Sequence, residues 1–187
     1  WYCVDCPAGM FQPVAASTVA QCTTWTYSQA NCPLGSVYAD GSTDTDSTCT
    51  PCSRGYFGVN QSGILTCDSC DAGLFASSSG RTICDECSAG QFSKDAAYDC
   101  DDCSVGFFSA SSGQGECSIC ESGQFQNQAG QSSCTPYSLT HCGINEYFDA
   151  GDHTRDNLCL DCPQNYYQDE TETTVTVCKP LAGTSCR

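Results

Sequence analysis

CDSCDAGLFASSSGRTICDECSAGQF, residues 67–92, holds one pattern twice. The pair Cys67/Cys70 is followed by Gly73 and Phe75, then by the polar run Ala76-Ser77-Ser78-Ser79-Gly80. The pair Cys84/Cys87 then starts the same series again, through Gly90 and Phe92. Glycine accepts positive φ at no steric cost, so C-x-x-G predicts a tight turn with a left-handed residue. The aromatic two residues later begins a short strand and turns back toward the sulfur. The run of small polar residues reads as a hairpin tip, not a helix.

Outward from this stretch the pattern fills the chain. C-x-x-C pairs occur at Cys3/Cys6, Cys49/Cys52, Cys67/Cys70, Cys84/Cys87, Cys100/Cys103, Cys117/Cys120 and Cys159/Cys162. C-x-x-G-x-F occurs at Cys6-Gly9-Phe11, Cys52-Gly55-Phe57, Cys70-Gly73-Phe75, Cys87-Gly90-Phe92, Cys103-Gly106-Phe108 and Cys120-Gly123-Phe125. Cys32-Gly35-Val37 relaxes the aromatic, while Cys142-Asn145-Tyr147 and Cys162-Asn165-Tyr167 replace Gly with Asn, the next most tolerant of positive φ. A short fixed period signals a repeat architecture. No window shows a helical apolar period.

Leu, Ile, Val and Phe together number 27 of 187 residues, and the formal net charge is −16. That balance alone predicts disorder, because too little apolar surface is available to offset the entropy of ordering the chain. The 20 cysteines supply the alternative. Their density implies an oxidising setting: secreted, cell-surface or lumenal. There is no apolar run of membrane-spanning length. The chain starts at Trp1 without a signal-peptide pattern, as a processed chain or an excised fragment does. Six basic residues against 22 acidic ones exclude nucleic acid, whose phosphates need clustered Lys and Arg.

Connectivity cannot be deduced from cysteine positions alone. The repeat makes one scheme natural, in which each C-x-x-[GN] cysteine closes onto the next cysteine. The expected pairs are Cys6–Cys22, Cys32–Cys49, Cys52–Cys67, Cys70–Cys84, Cys87–Cys100, Cys103–Cys117, Cys120–Cys134, Cys142–Cys159 and Cys162–Cys178. A loop of about 15 residues closed in this way is worth roughly 3 kcal/mol in the chain-entropy account. Cys3 and Cys186 remain over, and are expected to belong to repeats that continue beyond these residues or to staple neighbouring chains.

The C-x-x-G-x-[FY] pattern with C-x-x-C junctions resembles the ephrin-receptor-like cysteine-rich repeat. It is also similar to the first subdomain of tumour-necrosis-factor-receptor-like modules. Two stretches look most like the latter, and align without gaps at an offset of 110, placing Tyr38 on Phe148, Gly41 on Gly151 and Asp46 on Asp156. The interlocked C-x-x-C-x-x-C pattern of that family is missing. The expected organisation is a first loop at 1–31, a receptor-like module at 32–51, five tandem repeats at 52–134, a second module at 135–161, and a last repeat with the start of another at 162–187. The expected fold class is small and disulfide-rich: tandem short β-hairpins or irregular loops stacked into an elongated rod, each touching mainly its neighbours, with little or no helix.

Rival chemistries are weaker. Cys67/Cys70 with Cys84/Cys87 has the spacing of a four-cysteine zinc site, but the unbroken series of pairs and the Gly-x-aromatic after each argue against it. The two histidines, His141 and His153, lie in no nucleophile or metal motif and read as solvated loop residues. Asp40, Asp44 and Asp46 cluster in one loop and Asp149, Asp152 and Asp156 in its counterpart. Of these Asp44, Asp46, Asp152 and Asp156 are the calcium candidates, although the spacing is not that of an EF-hand. Asn60-Gln61-Ser62 is an N-glycosylation sequon on an expected loop tip, and Asn157-Leu158-Cys159 is a weaker one. The Ser/Thr-rich tips, such as Ser77 to Ser79 and Thr171 to Thr174, are candidates for O-glycans. These features point to a non-enzymatic extracellular structural or adhesive repeat, without cofactor, whose partners are extracellular proteins: copies of itself or neighbouring repeats. A receptor ectodomain taking a protein ligand is the alternative.

Overall fold

A computed structural model describes residues 5–12, 21–171 and 174–181. Cys3 and Cys186 lie outside the described residues, as does part of the Thr171–Thr174 tip. Among the described residues there is no helix, and nine two-stranded antiparallel hairpins follow one another along the chain. Most pair only two residues with two, as Leu74–Phe75 does with Asp85–Glu86 and Gln91–Phe92 with Asp101–Asp102. Three are longer: Ser36–Ala39 with Thr48–Pro51, Tyr56–Gln61 with Ile64–Ser69, and Glu146–Asp149 with Leu158–Asp161. This is the small, disulfide-rich, tandem-hairpin class expected from the repeat.

The C-x-x-G motif starts each hairpin through a hydrogen-bonded turn. In the repeat that opens at Cys70, Leu74 N–H donates to Asp71 C=O at 2.9 Å, with Gly73 at φ +89° in the third position. A type II turn demands positive φ there. Asn145 and Asn165 fill the same position at φ 63° and 72°. The Gly73 carbonyl then accepts Cys87 N–H at 2.9 Å, closing the base of the hairpin. Gly55, Gly90 and Gly106 accept from Cys70, Cys103 and Cys120 in the same way.

Each hairpin carries one disulfide, and each disulfide joins a C-x-x-[GN] cysteine to the next cysteine in the chain, from Cys6–Cys22 to Cys162–Cys178. Sulfur also forms the interior. Among the described residues ten apolar ones are buried, of which eight are cysteines; Leu65 and Ala76 are the others. Cys70, Cys87 and Cys103 are fully buried, while Ile64, Ile83 and Val177 are each more than 60 % exposed. A chain this poor in aliphatic residues buries cystine instead.

Successive hairpins are joined by a repeated set of backbone hydrogen bonds. Between the Cys52 and Cys70 hairpins, Gly80 N–H donates to Cys52 C=O, Gly55 N–H to Ala76 C=O and Gly58 N–H to Arg81 C=O, at 2.7–2.9 Å. The Cys70 and Cys87 hairpins repeat the set through Ala96→Cys70, Gly73→Ser93 and Ala76→Ala97. The Cys103 and Cys120 hairpins repeat it again through Gly130→Cys103, Gly106→Gln126 and Ser109→Gln131. The tip residue in each set is left-handed: Gly80 at 77°, Ala96 at 58° and Gly130 at 73°.

Contact does not stop at the next hairpin, as a nearest-neighbour stack would have it. A Cβ added to Gly35 would lie 2.2 Å from Gly80 O, one on Gly55 2.2 Å from Ala96 O, and one on Gly90 2.2 Å from Gly130 O. Each of these tips belongs to the hairpin two further on. With strands only two residues long, the tip leaves the sheet at once and folds back over two earlier turns. The chain divides into two compact units, Trp1–Cys87 with Ser93–Cys100, and Ser88–Phe92 with Asp101–Arg187. Each unit contains such second-neighbour contacts: Gly35 and Gly55 in the first, Gly90 in the second.

Candidate functional site

Two hairpins, Ser36–Ala39 with Thr48–Pro51 and Glu146–Asp149 with Leu158–Asp161, hold loop carboxylates through several side-chain hydrogen bonds. In the first, Asp46 Oδ1 accepts Thr26 N–H at 2.8 Å and Ser47 N–H at 2.7 Å, and Oδ2 accepts the Thr26 hydroxyl. Ser47 Oγ accepts Tyr27 N–H at 3.0 Å and donates to Tyr27 C=O at 2.8 Å. In the second, Asp156 Oδ1 accepts Ser138 N–H and Asn157 N–H, both at 2.9 Å, while Asn157 takes Leu139 N–H at 3.1 Å and donates to Leu139 C=O. Each pair clips the segment that leads into its hairpin, before Cys32 or Cys142. Ser47 and Asn157 are both about 3 % exposed.

Donors hold these carboxylates below the ordinary range. The Thr26 hydroxyl and then its amide lower Asp46; the Ser138 hydroxyl and amide lower Asp156. Asp152 is lowered by the Thr154 hydroxyl and amide, which donate to its Oδ1 at 2.6 and 2.8 Å, and then by Arg155. Arg155 in turn bridges Asp149 at 2.9 Å and Asp152 at 3.8 Å. Asp44 accepts the Ser42 hydroxyl.

The four calcium candidates thus each accept hydrogen bonds from protein donors, Asp44 and Asp152 within their own loops and Asp46 and Asp156 from the preceding segment as well. Among the described residues, the group of potential ligand atoms that does converge is Cys142, Glu146 and Cys159. Its two sulfurs are bonded to each other. The cysteines of the zinc-like spacing are likewise in disulfides: Cys67 with Cys52, Cys70 with Cys84, and Cys87 with Cys100.

The histidines stand apart. His141 Nδ1 pairs with the Thr140 hydroxyl at 2.9 Å. His153 lies edge-on to Phe107 with centroids 6.2 Å apart, and its carbonyl accepts Gln126 N–H at 2.9 Å. Asn60 is exposed at the end of a long strand, with Oδ1 accepting Gly63 N–H at 2.9 Å across a tip in which Ser62 and Gly63 both have positive φ. Asn157, in the second sequon, is buried, and Cys159 is in a disulfide.

No family model matches the chain, and no curated protein matches it. Its class rests on its own chemistry. Eighteen cysteines in nine disulfides are a feature of extracellular proteins made in an oxidising compartment. Among the described residues no helix is long and apolar enough to cross a membrane.

Sequence reading missed one position. In five of the repeats the residue after the aromatic is the one sealed inside: Ala76 at 0 %, Ser93 and Ser109 at 2 %, Gln126 at 8 % and Gln168 at 1 % exposure. The aromatics Phe75, Phe92, Phe108 and Phe125 are half-buried. Small or hydrogen-bonding side chains suit this slot: Ser93 Oγ donates to Leu74 C=O at 3.0 Å, and Gln126 Nε2 to Ser133 C=O at 2.9 Å. A column of Gly, Ala, Ser and Gln after the aromatic was the available signal.

Proposed function

We propose that this chain is a non-enzymatic structural or adhesive repeat of an extracellular assembly: a disulfide-stapled spacer, part of a longer array or of a secreted surface fibre. Its repeats are of the ephrin-receptor-like kind, with tumour-necrosis-factor-receptor-like modules at 32–51 and 135–161, and Asn60 carries glycan. The observation that carries this reading is the cystine interior. Eight buried cysteines among the described residues take the place of an aliphatic core, which suits a medium where proteases and dilution would open a small apolar domain. Function in such a molecule lies in what the repeat spans and touches rather than in a catalytic pocket.

A concentration series by sedimentation velocity, with negative-stain images of the same samples, tests it. Ordered assemblies that grow with concentration are expected. A second reading, a receptor ectodomain with a protein ligand, is favoured by the two clipped hairpins that correspond at an offset of 110. That reading predicts a monomer at every concentration and capture of a partner by the isolated chain.

A further inference from the structure

One face of the Glu146–Asp149/Leu158–Asp161 hairpin gathers more ligand chemistry than a staple uses. Glu146 stands opposite Asp161 and Phe148 opposite Cys159, so these four side chains share a face of the strand pair. Cys142 joins them through its bond to Cys159. A carboxylate oxygen of Glu146 and the two sulfurs lie within 4.8 Å of one another. Glu146 Oε2 accepts Gly143 N–H at 3.0 Å, which holds the carboxylate beside Cys142. Cys142 is buried, and Glu146 and Cys159 are half-buried. At no other disulfide among the described residues does a carboxylate or imidazole come within that distance of both sulfurs.

The counterpart hairpin is the contrast. At an offset of 110, Cys32 and Cys49 match Cys142 and Cys159, but Ser36 stands in the place of Glu146 and Pro51 in that of Asp161. The staple therefore needs neither acid. Glu146 and Asp161 instead set like charges directly opposite each other, which is unfavourable across a strand pair. No ion pair among the described residues neutralises either one. A cation held on the same face does so.

Opening the bridge supplies the donors for such a cation. Exchange with a dithiol brings two electrons and two protons to the disulfide, giving two cysteine thiols and the reductant's own disulfide. A divalent cation then displaces both thiol protons, since a coordinating thiol is deprotonated. Thiolates favour a borderline-soft cation of the zinc kind over calcium. Around zinc each sulfur sits about 2.3 Å from the metal, hence roughly 3.8 Å from the other in a tetrahedron. The Cα atoms of Cys142 and Cys159 are 5.5 Å apart, so rotation of the two side chains gives that separation with the strands in place. The strands have ties besides the bridge: their own pairing, the Asp156 clip, Cys162 N–H on Asn145 C=O, and Asn145 N–H on Gln168 C=O.

We propose that the Cys142–Cys159 bridge masks a metal site: once a dithiol opens it, Cys142, Cys159 and Glu146 bind a divalent cation of the zinc kind, with Asp161 adding charge from across the pair. The site is additional to the spanning role and stands whether the array spaces or captures. Zinc that binds the open form alone draws the exchange toward that form, so reduction and metal loading reinforce each other at this hairpin.

The test treats the whole oxidised chain with limiting phosphine, which takes its oxygen from water to become the phosphine oxide, in zinc or in chelator. Free thiols are alkylated and mapped by mass, and hydrogen-exchange protection at Asn145 reports that the base of the hairpin is folded. Zinc is expected to slow alkylation of Cys142 and Cys159 at least about tenfold, and to leave Cys32 and Cys49 unchanged. Cadmium in place of zinc gives the ultraviolet charge-transfer band of a thiolate–metal bond. Glu146→Gln keeps an acceptor for Gly143 and loses the charge. It forms the disulfide, melts no lower than the unsubstituted chain when oxidised, and loses about tenfold or more of the protection by zinc. Equal alkylation in zinc and chelator, equal protection of Cys32 and Cys49, full protection in Glu146→Gln, or loss of Asn145 protection as soon as the bridge opens would overturn the proposal.

Discussion

At the residue scale the glycine of C-x-x-G has two separate duties, and substitution distinguishes them. Positive φ is a requirement that asparagine also meets, as Asn145 and Asn165 do. Close approach is a requirement that only glycine meets. A Cβ on Gly55 would lie 2.2 Å from Ala96 O, whereas nothing stands within 4 Å of one on Gly123. Gly55→Asn is therefore expected to destabilise the first unit by about 3 kcal/mol, and Gly123→Asn to cost less than about 1 kcal/mol. Thermal melts of both variants, with disulfides verified by mass, measure the difference; equal losses would mean that backbone dihedral alone governs the site. The two sequons separate in the same manner. Asn60 is exposed on a hairpin end, and Asn157 is buried with its amide donating to Leu139 C=O. In material from a glycosylating host, enzymatic deglycosylation in heavy-oxygen water is expected to label Asn60 and leave Asn157 unlabelled.

At the element scale the aspartate clips tie pH to local order. Asp46 and Asp156 have depressed pKa values in the fold, each chiefly because a hydroxyl and an amide donate to the carboxylate. Unfolding releases them to the ordinary value near 3.9. A group depressed in the folded state contributes stability above its unfolded pKa and loses it as pH falls through the folded one. The melting temperature is expected to drop below about pH 4. Asp46→Asn with Asp156→Asn should melt a few degrees lower at pH 6, and the gap from the unsubstituted chain should narrow as the pH falls below about 4. A parallel pH profile in both would remove the clips from the account. Chelation of divalent cations is expected to leave the melting temperature unchanged, since protein donors already occupy these carboxylates. These clips were not legible in the sequence. An offset of 110 flagged Asp46 and Asp156 as a pair, but calcium and a backbone clip look alike until Thr26 and Ser138 are seen to return to them. Those partners lie 20 and 18 residues away and follow no period.

At the scale of the whole molecule, what the sequence disclosed is what is local. Turn, strand and tip all fall within one repeat, so Gly73, Phe75 and Gly80 announce a hairpin without reference to anything distant. The reach of each tip over two hairpins has no such signature, because the tip residue that packs on the motif glycine varies through Gly80, Ala96, Gly130 and His153. This reach changes how damage spreads. In an array with nearest-neighbour contact alone, opening one repeat exposes the next and stops there. Here the Cys103 hairpin binds the Cys120 hairpin through Gly130→Cys103 and Gly106→Gln126, and also supports the following one, where His153 and Thr154 pack on Gly106. Replacing Cys103 and Cys117 together by serine removes a staple worth about 3 kcal/mol. Hydrogen exchange is then expected to quicken at Gly106 and Gly130 and in the Asp149–Arg155 loop, while Asn145, whose amide donates to Gln168 C=O at 2.8 Å, keeps its protection. Exchange confined to the opened hairpin would show that the repeats are independent. Loss of protection at Asn145 would show that the second unit unfolds as a single block. Quickening two hairpins on, but no further, is the outcome that second-neighbour packing requires.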